Sequence, residues 1–359
     1  MKDTLKPDYI MRDQLLQVMI DNQGSDLYIT VWVHPSIKIS WEITPIDQGI
    51  EIMSEMDTED FTKSLLTQEQ FHRLEQEKNL DFSFWYLWAR FRGNASFQMG
   101  QYMIVIRLLS AEMPNMQDLW LTEAYKDVLK LGQWLILITG PTGSGKSTTL
   151  AAMINYINEN YRRHIITIED PVEYIHVHKK SIIEQKEVGR DVPNYETALA
   201  WAMRQAPHVI LFWEMRVRRE VEMALTLAET WHLVLSTMHT RSAAQTISRI
   251  VDIFGASEKA QVRLQLADAL VAVFSQRLLK NIWGNKVSLV KEVLVNNTAI
   301  SNLIRENEVH QIPTTMQMGK RDGMQLLEED IVSLIKQGMI TEEEGLKYAN
   351  SSKAIKELL

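Results

Sequence analysis

The sequence of 359 residues predicts an α/β protein in two parts, a small α+β domain followed by a doubly wound core that closes in helices. Three observations carry this expectation. The stretch Gly140-Pro141-Thr142-Gly143-Ser144-Gly145-Lys146-Ser147 lies between an apolar run and an amphipathic one. From residue 122 onward, short β-branched runs alternate with helical patterns, the order of a parallel sheet with crossover helices. Before residue 108, apolar residues instead recur mostly with period two, as half-buried strands require.

Taken in order, Tyr9 to Ile20 has helical spacing. Leu27, Ile29, Val31 and Val33 then alternate with polar or bulky neighbours. After His34-Pro35-Ser36, the residues Ile37, Ile39, Trp41 and Ile43 alternate again, which predicts a hairpin of two strands. Thr67 and Gln70 have capping-box spacing and open a helix through Lys78. Strands are expected over 80–87, 90–97 and 103–109. Residues 1–108 form the first domain, and 109–121, with Pro114, Asn115 and Asp118, the linker. Residues 122–359 form the second, with a helix over 122–131. Its apolar runs are 134–139, 165–168, 209–213 and 233–238. Helices are expected over 258–278, 298–306, 323–337 and 341–349, with one strand at 287–295 and the C-terminal helices beginning near 297.

Composition narrows the classes. The chain is 45% hydrophobic and 23% charged, with a net charge of -8 and no cysteine. An acidic balance lacks the basic footprint of a nucleic-acid binder and counts against a DNA motor. Zero cysteines exclude disulfides and thiolate zinc sites. There is no run of ~18 apolar residues and no apolar core near Met1, so a cytoplasmic protein is expected.

The glycine stretch completes the pattern G-x-x-x-x-G-K-S between a strand, Trp134 to Thr139, and a helix whose Leu150, Met153, Ile154 and Ile157 share one face. Its glycines let successive N–H groups face one concavity at the positive end of a helix, where a triphosphate can sit. Lys146 neutralises the β and γ phosphates, and the Ser147 hydroxyl, followed by Thr148, ligates Mg²⁺. ATP and Mg²⁺ are therefore the expected ligands.

Hydrolysis needs acids at neighbouring strand ends. Two places supply them: Glu169-Asp170-Pro171-Val172-Glu173 after Ile165 to Ile168, and Glu214 after Val209 to Trp213. One carboxylate can orient and deprotonate water while another holds hydrated metal. His232 and His239 bracket the run Leu233 to Met238. Taken alone each is an ordinary core or interface histidine, although a strand-end residue can also sense a γ phosphate. His176 and His178, two apart, are expected as polar surface residues. Arg90 and Arg92 share a strand face, and with Arg107 they suit either surface ion pairs or an arginine finger.

In this order the segments resemble the PilT family of hexameric secretion-type ATPases, the retraction motors of type IV pili. The markers are the phosphate loop, the Asp box Ile166 to Glu173, Glu214-Met215-Arg216, the His box Glu229 to His239, and Ala299-Ile300-Ser301-Asn302-Leu303-Ile304-Arg305-Glu306. The last separates retraction motors from general secretion ATPases, leaving the accessory retraction ATPase PilU as the nearest alternative.

The resemblance implies a PAS-like first domain, a RecA-like second one, and a homohexamer at the cytoplasmic face of the inner membrane. There it would meet the pilus platform protein and other pilus ATPases, with no nucleic acid bound and membrane association only through partners. It also implies Glu173 as general base, Glu214 as the Walker B acid with Glu169 and Asp170 beside them in the Asp box, His232 and His239 in the His box, and Arg90, Arg92 and Arg107 as the N-domain arginines.

Departures from the family pattern are specific. Trp213 and Trp231 stand where glycine is usual, as do Trp32, Trp41, Trp120 and Trp134, while His208 and Val217 replace aspartates. An indole in a packed site typically costs about 1–3 kcal/mol. These residues open a second reading, a ring subunit that binds nucleotide and hydrolyses it poorly.

Overall fold

The computed structural model describes residues 7–39, 42–47, 49–109, 113–284 and 287–359. The chain divides into two compact units, Met1–Glu112 and Met113–Leu359.

In the first unit, α1 (Pro7–Asp21) leads into β1 (Asp26–Ile29), β2 (Ser36–Ile39) and β3 (Glu42–Pro45). Two helices, α2 (Glu55–Leu65) and α3 (Gln68–Glu77), precede β4 (Asn79–Tyr86), β5 (Ala89–Gln98) and β6 (Gln101–Leu109). Among the described residues the sheet order is β3-β2-β1-β6-β5-β4. Every neighbouring pair is antiparallel. Leu27, Ile29, Ile37, Phe61, Phe91 and Ile106 form part of its core.

The predicted hairpin is present, with Leu27 opposite Ile37. The second strand, however, is two: β3 folds back on β2 so that Ile37 faces Thr44. Period-two alternation is the same for one long strand and for two short ones joined by a tight turn, so the pattern could not separate them. Trp41 lies outside the described residues.

The Thr67–Gln70 capping box closes in both directions, and the left-handed Lys78 ends α3. An equivalent box, Ser54 with Asp57, opens α2, an element the sequence reading did not assign.

Residues 110–112 of the expected linker are outside the described set. From Met113 the chain packs with the second unit, where Met116 and Leu121 are buried. Then come α4 (Glu123–Leu131), β7 (Trp134–Thr139), α5 (Lys146–Asn160), β8 (His164–Glu169), β9 (Ile182–Glu187), α6 (Tyr195–Ala202), β10 (Val209–Phe212), α7 (Arg218–Glu229) and β11 (Leu233–Met238). They continue with α8 (Ala243–Asp252), α9 (Lys259–Ala269), β12 (Leu270–Lys280), β13 (Val287–Val295), α10 (Thr298–Arg305), α11 (Ile312–Met318), α12 (Leu327–Lys336), α13 (Glu342–Tyr348) and α14 (Ser352–Leu358).

The sheet order is β13-β12-β7-β11-β10-β8-β9 among the described residues. It is parallel from β12 to β9, with β13 antiparallel at one edge. Both faces are covered. Leu137, Ile166 and Phe212 belong to one apolar cluster, while Ile136, Ile165 and Leu211 belong to the other. Burial on both sides is why these strands are continuous apolar runs without alternation.

One expected helix is corrected. Residues 258–278 begin as α9, but the helix ends at Ala269 and Leu270 starts the buried strand β12. A continuous apolar run fits a buried helix and a buried strand equally by periodicity, and the β-branched and aromatic residues Val271, Val273 and Phe274 favour the strand.

The last helices pack through Leu279, Val290, Leu327, Ile331, Ile340 and Ile355. Polar ties reinforce them. Arg277, buried in β12, donates to the carbonyl of Arg241 at 3.1 Å and to the side-chain oxygen of Asn350. Glu328 accepts from the amides of Asn350 and Ser351 at 2.8 and 2.9 Å.

Trp32, Trp120, Trp134 and Trp231 all hold left-handed backbone, with φ of 64°, 54°, 79° and 69°. Only glycine adopts this region without cost from its Cβ. The indoles of Trp32, Trp120 and Trp231 are largely solvent-exposed, whereas Trp134 is only 36% exposed. The burden at these positions is conformational, and not the steric crowding expected for Trp231.

Candidate nucleotide site

The site is built at the carboxyl ends of the parallel strands. β7 ends at Thr139, and residues 140–145 loop over to the first turn of α5. Gly140 cannot be replaced simply: its φ is +145°, and an added Cβ would lie 2.2 Å from the carbonyl oxygen of Gln276. Gly143 and Gly145 are also left-handed, at φ of 75° and 82°. Gly145 is the N-cap of α5, so no side chain accepts from the helix's first amides there.

Lys146 is buried and turns back on its own loop, donating to the carbonyls of Gly140 and Pro141 at 2.9 and 3.0 Å. Burial lowers its ammonium pKa, while Glu214 and Glu173 both pull it upward. The buried cation therefore lies within the electrostatic reach of both predicted acids. The Ser144 hydroxyl in the loop and the Thr237 hydroxyl near the end of β11 are buried without a hydrogen-bond partner among the described residues. Buried polar groups left in this state cost about 1–3 kcal/mol, and a site awaiting a polar ligand is one explanation for them.

Glu214 follows β10 with left-handed backbone at φ 68°. Strain of this kind clusters at functional positions. Its carboxylate pairs with Arg216 at 2.6 Å and with His239 at 3.2 Å. Burial acts to raise its pKa, but Arg216 and His239 together outweigh that and hold it below the usual carboxylate range.

Glu169 behaves in the opposite way. Burial pushes its pKa up to about 7, against hydrogen bonds from Thr167 at 2.7 Å, from Gln185 at 3.3 Å and from the backbone of Glu173. Asp170 is exposed, and Glu173 is half-buried.

A narrow hollow beside Ser147 is lined by Thr167, Glu169, Tyr174, His176 and Trp213. Thr148 meets the Tyr174 hydroxyl at 3.0 Å. Trp213 is half-buried, its ring packed against the cluster that includes Leu211 and Met153. Its volume is absorbed between α5 and the strand ends. The left-handed backbone expected of a glycine falls one residue later, at Glu214.

His176 is a correction. It was expected at the surface, but it lines this hollow, and burial with help from Lys179 pushes its pKa down to about 4. Its Nδ1 is buried without a partner among the described residues. His178 is exposed, and its Nδ1 accepts from the amide of Ile183 at 3.1 Å.

The remaining predicted residues separate. His239 reaches Glu214, but His232 sits at the opposite, amino end of β11, where its ring meets Thr230 and the Leu227 carbonyl, each at 3.1 Å. The strand between the two histidines spans about 20 Å.

Arg90, Arg92 and Arg107 belong to the first unit. Arg92 lies opposite Arg107 across β5 and β6, so all three share one sheet face. Arg90 donates to Ser83 at 3.0 Å and sits 5.9 Å from the Trp85 ring centroid. Arg92 approaches Asp81 at 3.6 Å, and Arg107 donates to Asp26 at 2.7 Å.

Sequence reasoning missed Gln276, Thr149 and the neighbouring pair Thr139–Ser275. Gln276 and Ser275 fell in the segment assigned to a helix.

Comparison with known proteins bears on this arrangement. Residues 70–345 match the family described as Type II/IV secretion system protein. The chain is 41% identical over 323 residues to the twitching motility protein of Neisseria gonorrhoeae, covering 89% of this chain and 86% of that protein. It is 39% identical over 337 residues to the type IV pilus retraction ATPase PilT of Pseudomonas aeruginosa, covering 94% and 97%. The chain belongs to the PilT family. A crystal structure of the pilus retraction motor PilT with bound ADP superposes with a TM-score of 0.89 at 40% identity, over 96% of this chain and 98% of that one. The α/β fold is thus that of the PilT-type secretion ATPases. Among the described residues no helix is long and apolar enough to cross a membrane.

Proposed function

We propose that this PilT-family chain is the ATP-hydrolysing subunit of a type IV pilus retraction motor. The observation that carries it is the buried Lys146, which sits in the fields of Glu173 and Glu214 and donates to a glycine loop whose Ser144 hydroxyl is buried without a partner among the described residues. Such a cradle suits a polyphosphate.

In this reading Gly140 to Thr148 bind ATP, with Lys146 releasing its own carbonyls to meet the β and γ phosphates. Ser147 and Glu214 would hold Mg²⁺; both offer hard oxygen donors, which suit that ion, and the bound ion would neutralise charge developing on the phosphates. Glu173 accepts a proton from water as general base. Glu169, accepting from Thr167 and Gln185, holds the Glu173 loop in place, and Asp170 lies at its turn. His239, paired with Glu214, links the strand end of β11 to the acid. His232 and the arginines Arg90, Arg92 and Arg107 act across subunit boundaries in a homohexamer.

The same reading assigns residues 1–108 to a PAS-like domain, 109–121 to a linker and 122–359 to a RecA-like domain with a helical extension from about 297. It places the ring at the cytoplasmic face of the inner membrane, against the pilus platform protein and the other pilus ATPases.

Phosphate release by purified protein tests it. Turnover no faster than that of Lys146→Ala would remove the enzyme claim. A second reading, a PilU-like or catalytically impaired ring subunit, is favoured by one feature, the Trp213 indole beside Ser147. Tight ADP binding without turnover would select it.

A further inference from the structure

We propose that Gln276 is a positioning residue that sets the pose of the phosphate loop. This rests on the nucleotide-site reading above and deepens it. Gln276 is 1% exposed and lies in β12, one residue past Ser275, which is registered opposite Thr139 at the end of β7. Its side-chain amide is used at both ends. The nitrogen donates to the carbonyl of Ser144 at 2.8 Å, and the oxygen accepts from the Thr149 hydroxyl at 3.0 Å. Its backbone carbonyl is the atom that would collide with any side chain at Gly140. One residue therefore touches the beginning of the loop, its crest and the first turns of α5.

The bond to Ser144 matters because a trans peptide is planar and holds its C=O and N–H antiparallel. Fixing the Ser144 carbonyl toward β12 turns the Gly145 N–H to the side away from β12. Gly145 is the left-handed N-cap of α5, so this amide belongs to the row of unsatisfied donors at the helix start. The bond to Thr149 fixes the same helix from inside. Reversing the amide would set oxygen against the Ser144 carbonyl, so only one orientation satisfies both partners.

Three variants test this: Gln276→Glu, Gln276→Leu and Thr149→Val, with Lys146→Ala as control. ADP affinity is read by titration, and the nucleotide-free melting temperature serves as the structural readout. Gln276→Glu keeps the shape and the acceptor for Thr149, but opposes the Ser144 carbonyl. It is expected to weaken ADP binding about ten- to hundredfold and to raise KM more than it lowers kcat. Thr149→Val, close in shape, removes one bond and is expected to weaken binding about fivefold, with the nucleotide-free melting temperature within a few degrees of the parent. If Gln276→Glu or Thr149→Val binds ADP as tightly as the parent, the proposal is overturned. It is overturned equally if affinity is lost only in step with melting temperature, which would make Gln276 a stability residue. Gln276→Leu separates the two roles where it folds, because it keeps the volume and loses both bonds. Retained ADP binding by Lys146→Ala would instead fault the nucleotide-site reading itself.

Discussion

The two ends of the parallel strands in the second unit carry opposite chemistry. At the carboxyl ends, Lys146, Glu214 and Glu169, each with a displaced pKa, gather with Glu173 near buried hydroxyls that lack partners among the described residues. At the amino ends, His164, His208 and His232 lie together, and His208 is lowered by burial first and then by Arg163 and its two histidine neighbours. Trp134 and Trp231 sit there too, with left-handed backbone, and the Trp231 ring is in solvent. At the carboxyl ends costly polar states gather around one loop. At the other end the cost is backbone conformation, which no ligand relieves.

The strongest way to break this contrast is at Lys146. Lys146→Ala is expected to lower ATP turnover at least a hundredfold, as loss of a charge-stabilising donor does, measured by phosphate release. Glu214→Gln should follow with a loss on the order of a hundredfold. His232→Ala, at the far end, should leave the ADP affinity of the isolated subunit unchanged in titration; a clear loss would dissolve the distinction between the two ends.

Stability sharpens the contrast further, through two tryptophans at positions where the family resemblance leads one to expect glycine. Trp213→Gly removes a ring packed beside α5 and should destabilise by about 2 kcal/mol or more. Trp231→Gly relieves left-handed backbone with no packing lost and should stabilise by about 1 kcal/mol. Denaturant melts of the two variants are expected to move in opposite directions.

The smallest effect is pH-linked. Glu169 has its pKa raised to about 7 in the folded state, so between about pH 4.5 and 7 the folded chain keeps a proton the unfolded chain loses. Its contribution is fully present below that window and fades as pH rises through 7. Glu292, also raised to about 7 by burial, acts in the same sense, whereas His176, lowered to about 4, acts in the opposite one. Comparing melting temperatures of Glu169→Gln and the parent across pH 5–8 isolates one group. The variant should fall less steeply, or rise more steeply, as pH increases.

How far the sequence revealed this depended on burial. Strands covered on both faces, such as Leu135 to Ile138 and Val209 to Phe212, show as apolar runs, and the glycine loop between strand and helix is a local pattern that needs no tertiary knowledge. The edge strand β9, with Glu184 and Lys186 alternating against Ile183 and Gln185, carries no such run and was missed. β12 was lost for a different reason. Its run follows a helix without a break, and the helical period could be carried on through it. Gln276 was hidden with it, because its partners Ser144 and Thr149 are more than a hundred residues away and meet it only once β12 lies beside β7. His239 and Glu214 could be placed together as strand ends, but His232, grouped with them by sequence proximity, faces away for want of a turn between them.

The neighbour of Gln276 extends its significance. Arg277 holds Arg241 and Asn350, while Gln276 holds Ser144 and Thr149. Successive strand residues point to opposite faces. A slip of β12 by a single position would put Arg277 at the glycine loop and Leu278 at the tail of the chain, or, in the other direction, Ser275 at the loop and Gln276 at the tail, so either misregistration would spoil both contacts. Correct threading of this strand is therefore enforced from two sides.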